Sequence, residues 1–345
     1  MRNFKRSLVI AVSIVLGLVL ALGTWTWAQQ MPKAVTIGAN PPGTVFYALA
    51  SGLALVAGEG ALIRASVQPY SGTSTFLPLL NTGELDFALV NAVDIGMAYV
   101  GREKLKVGGK NDFQHSPDIR LVMRGAPLLV GLIVKKDSPY KTVYDVKGKR
   151  VTGEYPAHQA VWFNMFGLLA SAGLTWNDVK VVPVPAVNDG IDALVQGRAD
   201  VTTFAHNAAK VREADAAIGV RFLPIDCSPD ADKRVRQAVP GYYTRVVKAG
   251  AAVVEDTCSI AYDLYFATHK AAQDQVVTAV LKAIWDNTDK LKPIHPVFKE
   301  WTRDRAATAE ITLPYHPAAI KFYKEKGVWK PEMDQAQEKL LAQGR

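Results

Sequence analysis

The apolar positions of this chain fall into short runs that alternate between the period of a strand and that of a helix. Val35-Thr36-Ile37-Gly38 reads as a buried strand, and Phe46 to Ala57 as a helix with small and apolar residues all round, which implies burial. Ile63 to Gln68 is a second strand. A helix through Leu77, Leu79 and Leu80 stops at Gly83, the residue type that commonly follows a helix end. Phe87-Ala88-Leu89-Val90 is a third strand. Strands that alternate with helices predict an α/β fold on a largely parallel sheet.

The pattern then recurs. Val151-Thr152 opens a strand, Val161 to Ala172 is a helix, Val179 to Val184 a strand, Ile191 to Gln196 a helix ending at Gly197, and Ala199 to Phe204 leads into another strand. The copies align at a constant spacing of 114: Val67 on Val181, Leu77 on Ile191, Gly83 on Gly197 and Asp86 on Asp200. That period is too long for a solenoid and fits one unit used once in each of two lobes. In each Gly-x-x-Asp the glycine is expected to end a helix and the aspartate to sit in the turn before a strand.

Arg120 to Lys136, with its apolar stretch Leu128 to Val134, lies between the copies, and a turn and short helix at Asp137 to Lys149 lead into the second. Gly241 to Val247 and Ser259 to Thr268 are β-rich and are expected to be the places where the chain crosses between lobes. Val276 to Leu291 is an amphipathic helix. Lobe I is then 29–128 together with 256–345, and lobe II is 129–255.

The first residues change the picture of where the protein works. Arg2, Lys5 and Arg6 precede an uncharged apolar run from Leu8 to Leu22, and Thr26-Trp27-Ala28 has the small-x-small form that a signal peptidase reads. Residues 1–28 are expected to be a secretory signal; an uncleaved anchor is the alternative. The remaining roughly 300 residues suit two cores. Formal charge is +8 for the whole chain, and three of those positives lie in the signal. The basic residues form no stripe interleaved with aromatics, which argues against nucleic acid, while a mild positive field favours small anions. Cys227 and Cys258 could form a disulfide in an exported protein or stand as two buried thiols. The six histidines are scattered and no Cys-x-x-Cys occurs, so neither a metal site nor a cofactor is expected.

In open α/β sheets, ligands collect beyond the carboxyl ends of strands, where helix N-termini offer unpaired N–H groups. Four loops meet this condition: Pro42 to Tyr47, Tyr70 to Ser74, Glu154 to Ala160 and Val187 to Gly190. From the first, Gly43 permits close backbone approach, Thr44 adds a hydroxyl, and Phe46 and Tyr47 can stack on a ligand. From the second, Ser71, Gly72, Thr73 and Ser74 make the loop best suited to an anion. Lobe II supplies Tyr155, His158, Gln159 and Asn188. The ends of the third strands, Asn91 and His206-Asn207, should face the same cleft. Each has a plain structural alternative as a turn residue, a cap or core.

Several of these segments resemble the TAXI family of TRAP-transporter solute receptors. They are Gly43-Thr44-Val45-Phe46-Tyr47, Tyr70-Ser71-Gly72-Thr73-Ser74, Thr82 to Val90, Asp145 to Val151, Leu313-Pro314-Tyr315-His316-Pro317 and Phe322 to Gly327. The resemblance implies a two-lobed periplasmic-binding-protein fold of the second type with the ligand in the inter-lobe cleft. It also implies capture of a small organic carboxylate by lobe closure and delivery to a TRAP-type permease, the receptor working as a periplasmic monomer. In such receptors the first loop usually has Gly-Gly before its aromatic pair, and the lobe II loop usually has Ser-Gly-Thr where this chain has His158-Gln159-Ala160. Those departures predict a ligand other than the family's usual amino acid, larger or aromatic.

The alternatives are an ABC-transporter substrate-binding protein and a sensor that delivers its ligand to a membrane kinase. An enzyme is not expected: the sequence has no Gly-x-Ser-x-Gly, no His-Glu-x-x-His and no Cys/His nucleophile pattern, and Glu154 with His158 forms an acid–base pair on spacing alone.

Overall fold

One ten-stranded sheet runs through the molecule in the order β2-β1-β3-β10-β4-β7-β5-β6, with β8 added on β4 and β9 on β10. The structure, a computed structural model, describes residues 31–250 and 252–344. The expected signal segment 1–28 lies outside the described residues. Contacts divide the chain into Met1–Pro32 and Lys33–Arg345, and the sheet belongs wholly to the second part.

The first half of the sheet is built from β1 (Ala34–Ala39), α1 (Val45–Ala61), β2 (Arg64–Pro69), α2 (Thr73–Thr82), β3 (Phe87–Asn91) and α3 (Ala92–Val100). Its counterpart is β5 (Arg150–Glu154), α4 (Gln159–Ser171), β6 (Lys180–Val184), α5 (Val187–Val195), β7 (Val201–Ala205) and α6 (Ala209–Ile218). In each copy the first strand pairs in parallel with the second on one side and the third on the other. The 114-residue repeat is therefore structural, and the two aspartates explain part of it. Asp86 accepts the Thr36 N–H at 2.8 Å, and Asp200 accepts the Arg150 N–H at 2.9 Å. Each carboxylate ties the third strand of its unit to the first, after a glycine that ends the preceding helix at φ 79° (Gly83) or 72° (Gly197).

Two long strands join the halves. β4 (Ile119–Lys135) and β10 (Thr257–His269) run antiparallel side by side. Beyond β3, β10 is the antiparallel neighbour; beyond β7, β4 takes that place. This corrects one expectation. Ser259–Thr268 does cross between lobes, but Gly241–Val247 does not: it holds β9 (Tyr243–Val247), an edge strand paired with Thr257–Ala261. The second crossing is β4, whose uninterrupted apolar run is what a strand buried on both faces requires. Its register with β10 shifts twice, between Asp263 and Tyr265 and again between Phe266 and Ala267.

β8 (Val220–Leu223) and α7 (Pro229–Ala238) complete lobe II. The C-terminal helices α8 (Asp274–Asp286), α9 (Thr288–Leu291), α10 (Pro317–Glu325) and α11 (Pro331–Gln343) follow β10. The predicted helix Val276 to Leu291 is broken at Asn287, which separates α8 from α9. Helix α3 went unread although Asn91, which follows Val90 directly, caps it by accepting the Val93 N–H at 2.7 Å; the apolar residues on both sides of Asn91 hide the change of period. Cys227 and Cys258 form a disulfide with Cα atoms 5.7 Å apart, which resolves the alternative left open above.

Candidate functional site

Six loops leave the carboxyl ends of β1, β2, β3, β5, β6 and β7, and each enters a helix directly or within a few residues. Thr44 shows how one is fixed: its hydroxyl donates to the Pro41 carbonyl at 2.6 Å and accepts the Tyr47 N–H at 3.3 Å, so it closes the turn and caps α1 together. Strain gathers at the facing loops. Glu154 and Tyr155, at the end of β5, and Asn207, after β7, are non-glycine residues at positive φ, a conformation retained where surrounding structure demands it.

Between the lobes lies a cavity of about 30 Å³, space for one or two waters. Lobe I contributes Asn40, Thr44, Val45 and Phe46; the joining strands contribute Leu128, Val130 and Tyr262. Lobe II contributes His158, Ala160, Val161 and Asn164, with Val187 and Thr203 to Ala205 behind them. Two buried polar atoms on this wall have no hydrogen-bond partner, Asn40 Oδ1 and His158 Nδ1. Burial brings the His158 imidazole down to about 3, so the ring is neutral in ordinary conditions. No lysine or arginine lines the cavity. The N-terminal turns of α1 and α4 border the cavity without an acidic residue in them, whereas the first turn of α5 holds Asp189, whose carboxylate accepts the Ala186 N–H at 3.1 Å.

Around the cavity the lobes hold one another. The Gln159 N–H donates to Ser74 Oγ at 3.2 Å, and Gln159 Oε1 accepts the Asp112 N–H at 3.0 Å. Asn188 Nδ2 donates to the Pro42 carbonyl at 3.2 Å, and the Gly43 carbonyl accepts the Lys210 N–H at 3.1 Å. Deeper in, Asn91 Nδ2 donates to the Tyr242 hydroxyl at 3.1 Å, which donates to Asn164 Oδ1 at 2.7 Å. Tyr242 stacks on Tyr262 with ring centres 4.9 Å apart. Beside this chain Asp94 is fully buried, with Thr73 Oγ1 donating to its Oδ2 at 3.3 Å, and burial pushes its carboxyl up to about 8.

The residues expected from the sequence thus divide. Thr44, Phe46 and His158 line the cavity. Gly43, Ser74, Gln159 and Asn188 bridge the lobes, Gly72 packs against His158, and the Asn207 carbonyl accepts from His295 Nε2 at 3.3 Å. Thr73 and Asn91 belong to the polar network. Tyr155 is buried and donates to Thr152, while His206 bonds Ser259 at 2.8 Å and stacks on Phe222; neither lines the cavity. Ser71 is exposed and Tyr47 half-buried, also away from it. Glu154 is exposed and makes no bond to buried His158, so the acid–base pair conceivable on spacing does not form.

Sequence reasoning missed Asn40, Asn164, Tyr262, Tyr242 and Asp94. The signal for Asn164 and Asp94 was a lone polar residue inside an otherwise apolar helix, which is costly unless it has a polar partner. A larger groove, about 530 Å³, includes Asp263 and Tyr265, on the face of β10 opposite Tyr262. Three of its charged neighbours are engaged with one another: Arg124 and Arg305 each reach Asp263 at 2.6 Å.

The sequence matches the model of the NMT1-like family over residues 37–327. Among solved structures, PhnD1 from Prochlorococcus marinus in complex with methylphosphonate is similar in fold: 11% identity, 87% of this chain and 100% of that one, TM-score 0.53. A protein described as a periplasmic transporter is similar at 13% identity, over 91% and 97% of the two chains, TM-score 0.52. The periplasmic aliphatic sulphonate binding protein SsuA from Escherichia coli matches at 16% identity, over 90% and 100%, with a TM-score of 0.45. The first two likenesses establish the two-lobed α/β fold of periplasmic binding proteins.

Proposed function

The chain belongs to the NMT1-like family, and on that premise we propose that it is an extracytoplasmic solute-binding receptor that closes on a small organic anion and delivers it to a membrane permease. The observation that carries this reading is the pair of buried, unpartnered atoms Asn40 Oδ1 and His158 Nδ1, one from each lobe, on the wall of one cavity. A buried polar atom without a partner costs about 1–3 kcal/mol. A ligand that carries a donor for Asn40 Oδ1, such as a hydroxyl or a protonated phosphonate oxygen, together with a partner for His158 Nδ1 recovers that cost only when the lobes are shut, which couples binding to closure.

The N-termini of α1 and α4, which carry no acidic residue, support an anion, and the absence of lysine and arginine from the wall supports one recognised by N–H donors. Methylphosphonate in the similarly folded Prochlorococcus protein is the precedent for an oxyanion. The small volume between the lobes, about 30 Å³, argues for a small ligand, against the larger or aromatic one that the altered loops predict, and even a small organic anion requires the lobes to sit further apart than they do here. We read the permease as one of the ABC type, with the TRAP type implied by the motif resemblance as the second reading; the NMT1-like match itself names no permease. No helix among the described residues is long and apolar enough to cross a membrane, in keeping with work outside it.

A thermal-shift screen over small phosphonates, sulfonates and carboxylates, followed by calorimetry, tests the site. Asn40→Ala and His158→Ala should each weaken the best hit at least tenfold while the protein stays folded. Unchanged affinity in both removes the cleft assignment, and turnover of the hit removes the receptor reading. Uptake that stops on ATP depletion but survives collapse of the ion gradients identifies the permease type; the reverse result restores the TRAP assignment.

A further inference from the structure

A second polar groove, of about 240 Å³, opens at the other end of lobe II. It is lined by Lys136, Lys141 and Arg221, with Pro224, Glu255 and Thr257. Lys136 follows the end of β4, Arg221 lies in β8, and Thr257 begins β10. Because β4 runs antiparallel to β7, with Val134 opposite Val201 at the start of β7, this end of the sheet lies away from the loops that form the cleft.

Three cations meet one carboxylate here, and none of the three makes an ion pair among the described residues. Arg221 is held in place by neutral groups: its Nε donates to the Lys136 carbonyl at 3.2 Å, and its Nη2 donates to the carbonyls of Ser138 (3.2 Å) and Tyr140. Those bonds fix the guanidinium without cancelling its charge, and Nη1 meets no acceptor among the described residues. Thr257 is 5% exposed, and its Oγ1 has no hydrogen-bond partner. The wall is tied down as well: Cys258 follows Thr257 in the disulfide to Cys227, and the Ile225 N–H donates to the Cys258 carbonyl at 3.2 Å. The fixed donors of Arg221, an excess of positive over negative charge and an idle buried hydroxyl suit a ligand that is compact, negative and rich in acceptors. The volume is below that of pockets for drug-sized molecules.

We propose that this groove is a second binding site, independent of the cleft, for a phosphate-type oxyanion, whether free in solution or carried as an anionic lipid headgroup. Binding of pyrophosphate to the full chain is measured by calorimetry, and binding to sedimented phosphatidylcholine vesicles is compared with and without phosphatidylglycerol. Pyrophosphate binding that falls at least tenfold in the Lys136→Ala/Lys141→Ala double variant identifies a free oxyanion. Binding confined to the phosphatidylglycerol vesicles, and lost in the same variant, identifies a headgroup. Thr257→Val, which keeps the shape of the side chain, should weaken whichever ligand binds by a few-fold without lowering the melting temperature. If neither probe binds, or if binding survives the double substitution, the groove is not an oxyanion site.

Discussion

Gly72 of lobe I lies directly against His158 of lobe II: a methyl group placed on Gly72 would come within 2.4 Å of both the His158 Cβ and the Ala157 carbonyl oxygen. Its φ of 174° is extended backbone open to any residue, so the glycine is required by the approach of the other lobe alone. Gly72→Ala should therefore fold normally yet fail to shut, because a backbone carbonyl cannot swing aside as a flexible side chain can. Ligand affinity should fall more than tenfold with the melting temperature of the free protein within about 2 °C of wild type, and small-angle scattering should show no contraction on adding ligand. Normal contraction would mean that the lobes approach less closely than described.

Stability should peak near pH 6.5, because buried groups of opposite type pull against each other. Burial holds His158 and His206 down at about 3, so below pH 6.5 the unfolded chain takes up protons that the folded one refuses, and stability falls as pH drops. His269, His295 and His316 are lowered by burial too and add to this limb. Asp94 acts in the other direction: folded, it keeps its proton to about 8, while the unfolded chain releases it near 3.8, so stability falls as pH rises through that interval. Below pH 6.5 the histidines outweigh it; above, Asp94 acts alone and costs about 2 kcal/mol between pH 6.5 and 8. Melting temperatures from pH 4.5 to 9 should trace this curve, and Asp94→Asn should abolish the alkaline limb. A decline that persists in that variant assigns it to another group.

The disulfide closes a 31-residue separation and links the loop before α7 to the start of β10. Constraining a loop of this size in the unfolded chain is worth about 3–4 kcal/mol. Cys227→Ser/Cys258→Ser should lower the melting temperature by several degrees and leave ligand affinity in the cleft unchanged, since neither cysteine lines that cavity. A large loss of affinity would show that the bridge also sets the position of the joining strands.

The architecture was largely legible because each unit repeats the same apolar rhythm, and the 114-residue spacing survives into the starts of α1 and α4, α2 and α5, β3 and β7. The loops of the candidate site were legible for a related reason: a strand followed by a capped helix puts N–H donors at one edge of the sheet. The individual contacts were not. Asn40 reads as one more loop residue, and only folding reveals that its Oδ1 is buried without a partner on a cavity wall that His158 also lines. Tyr262 sits in an apolar strand where alternation does not say which face meets the cleft, and two register shifts, at Asp263/Tyr265 and Phe266/Ala267, interrupt the pairing of β4 with β10. The Gly72–His158 contact joins the two copies of the repeat and has no local signature in either. Gly241 to Val247 and Ser259 to Thr268 look alike in composition; only pairing distinguishes the edge strand from the crossing one.

Leu62 offers a gain in stability independent of function. It ends α1 in the left-handed conformation, with φ 55° and ψ 31°, and its side chain is 91% exposed. For an L residue that conformation costs about 1 kcal/mol relative to glycine, and the exposed side chain recovers almost nothing by burial. Glycine would instead lose more backbone freedom on folding, which offsets part of the benefit. Leu62→Gly should therefore stabilise the protein by about 0.5 kcal/mol, and Leu62→Asn by a similar or smaller amount, with ligand affinity unchanged because the residue is absent from the cavity wall. Denaturant titration resolves a difference of this size when the slope is shared between variants. A destabilised Leu62→Gly would show that Leu62 gains from packing on the neighbouring groove of Ala54, Leu55 and Ile63 more than its backbone loses.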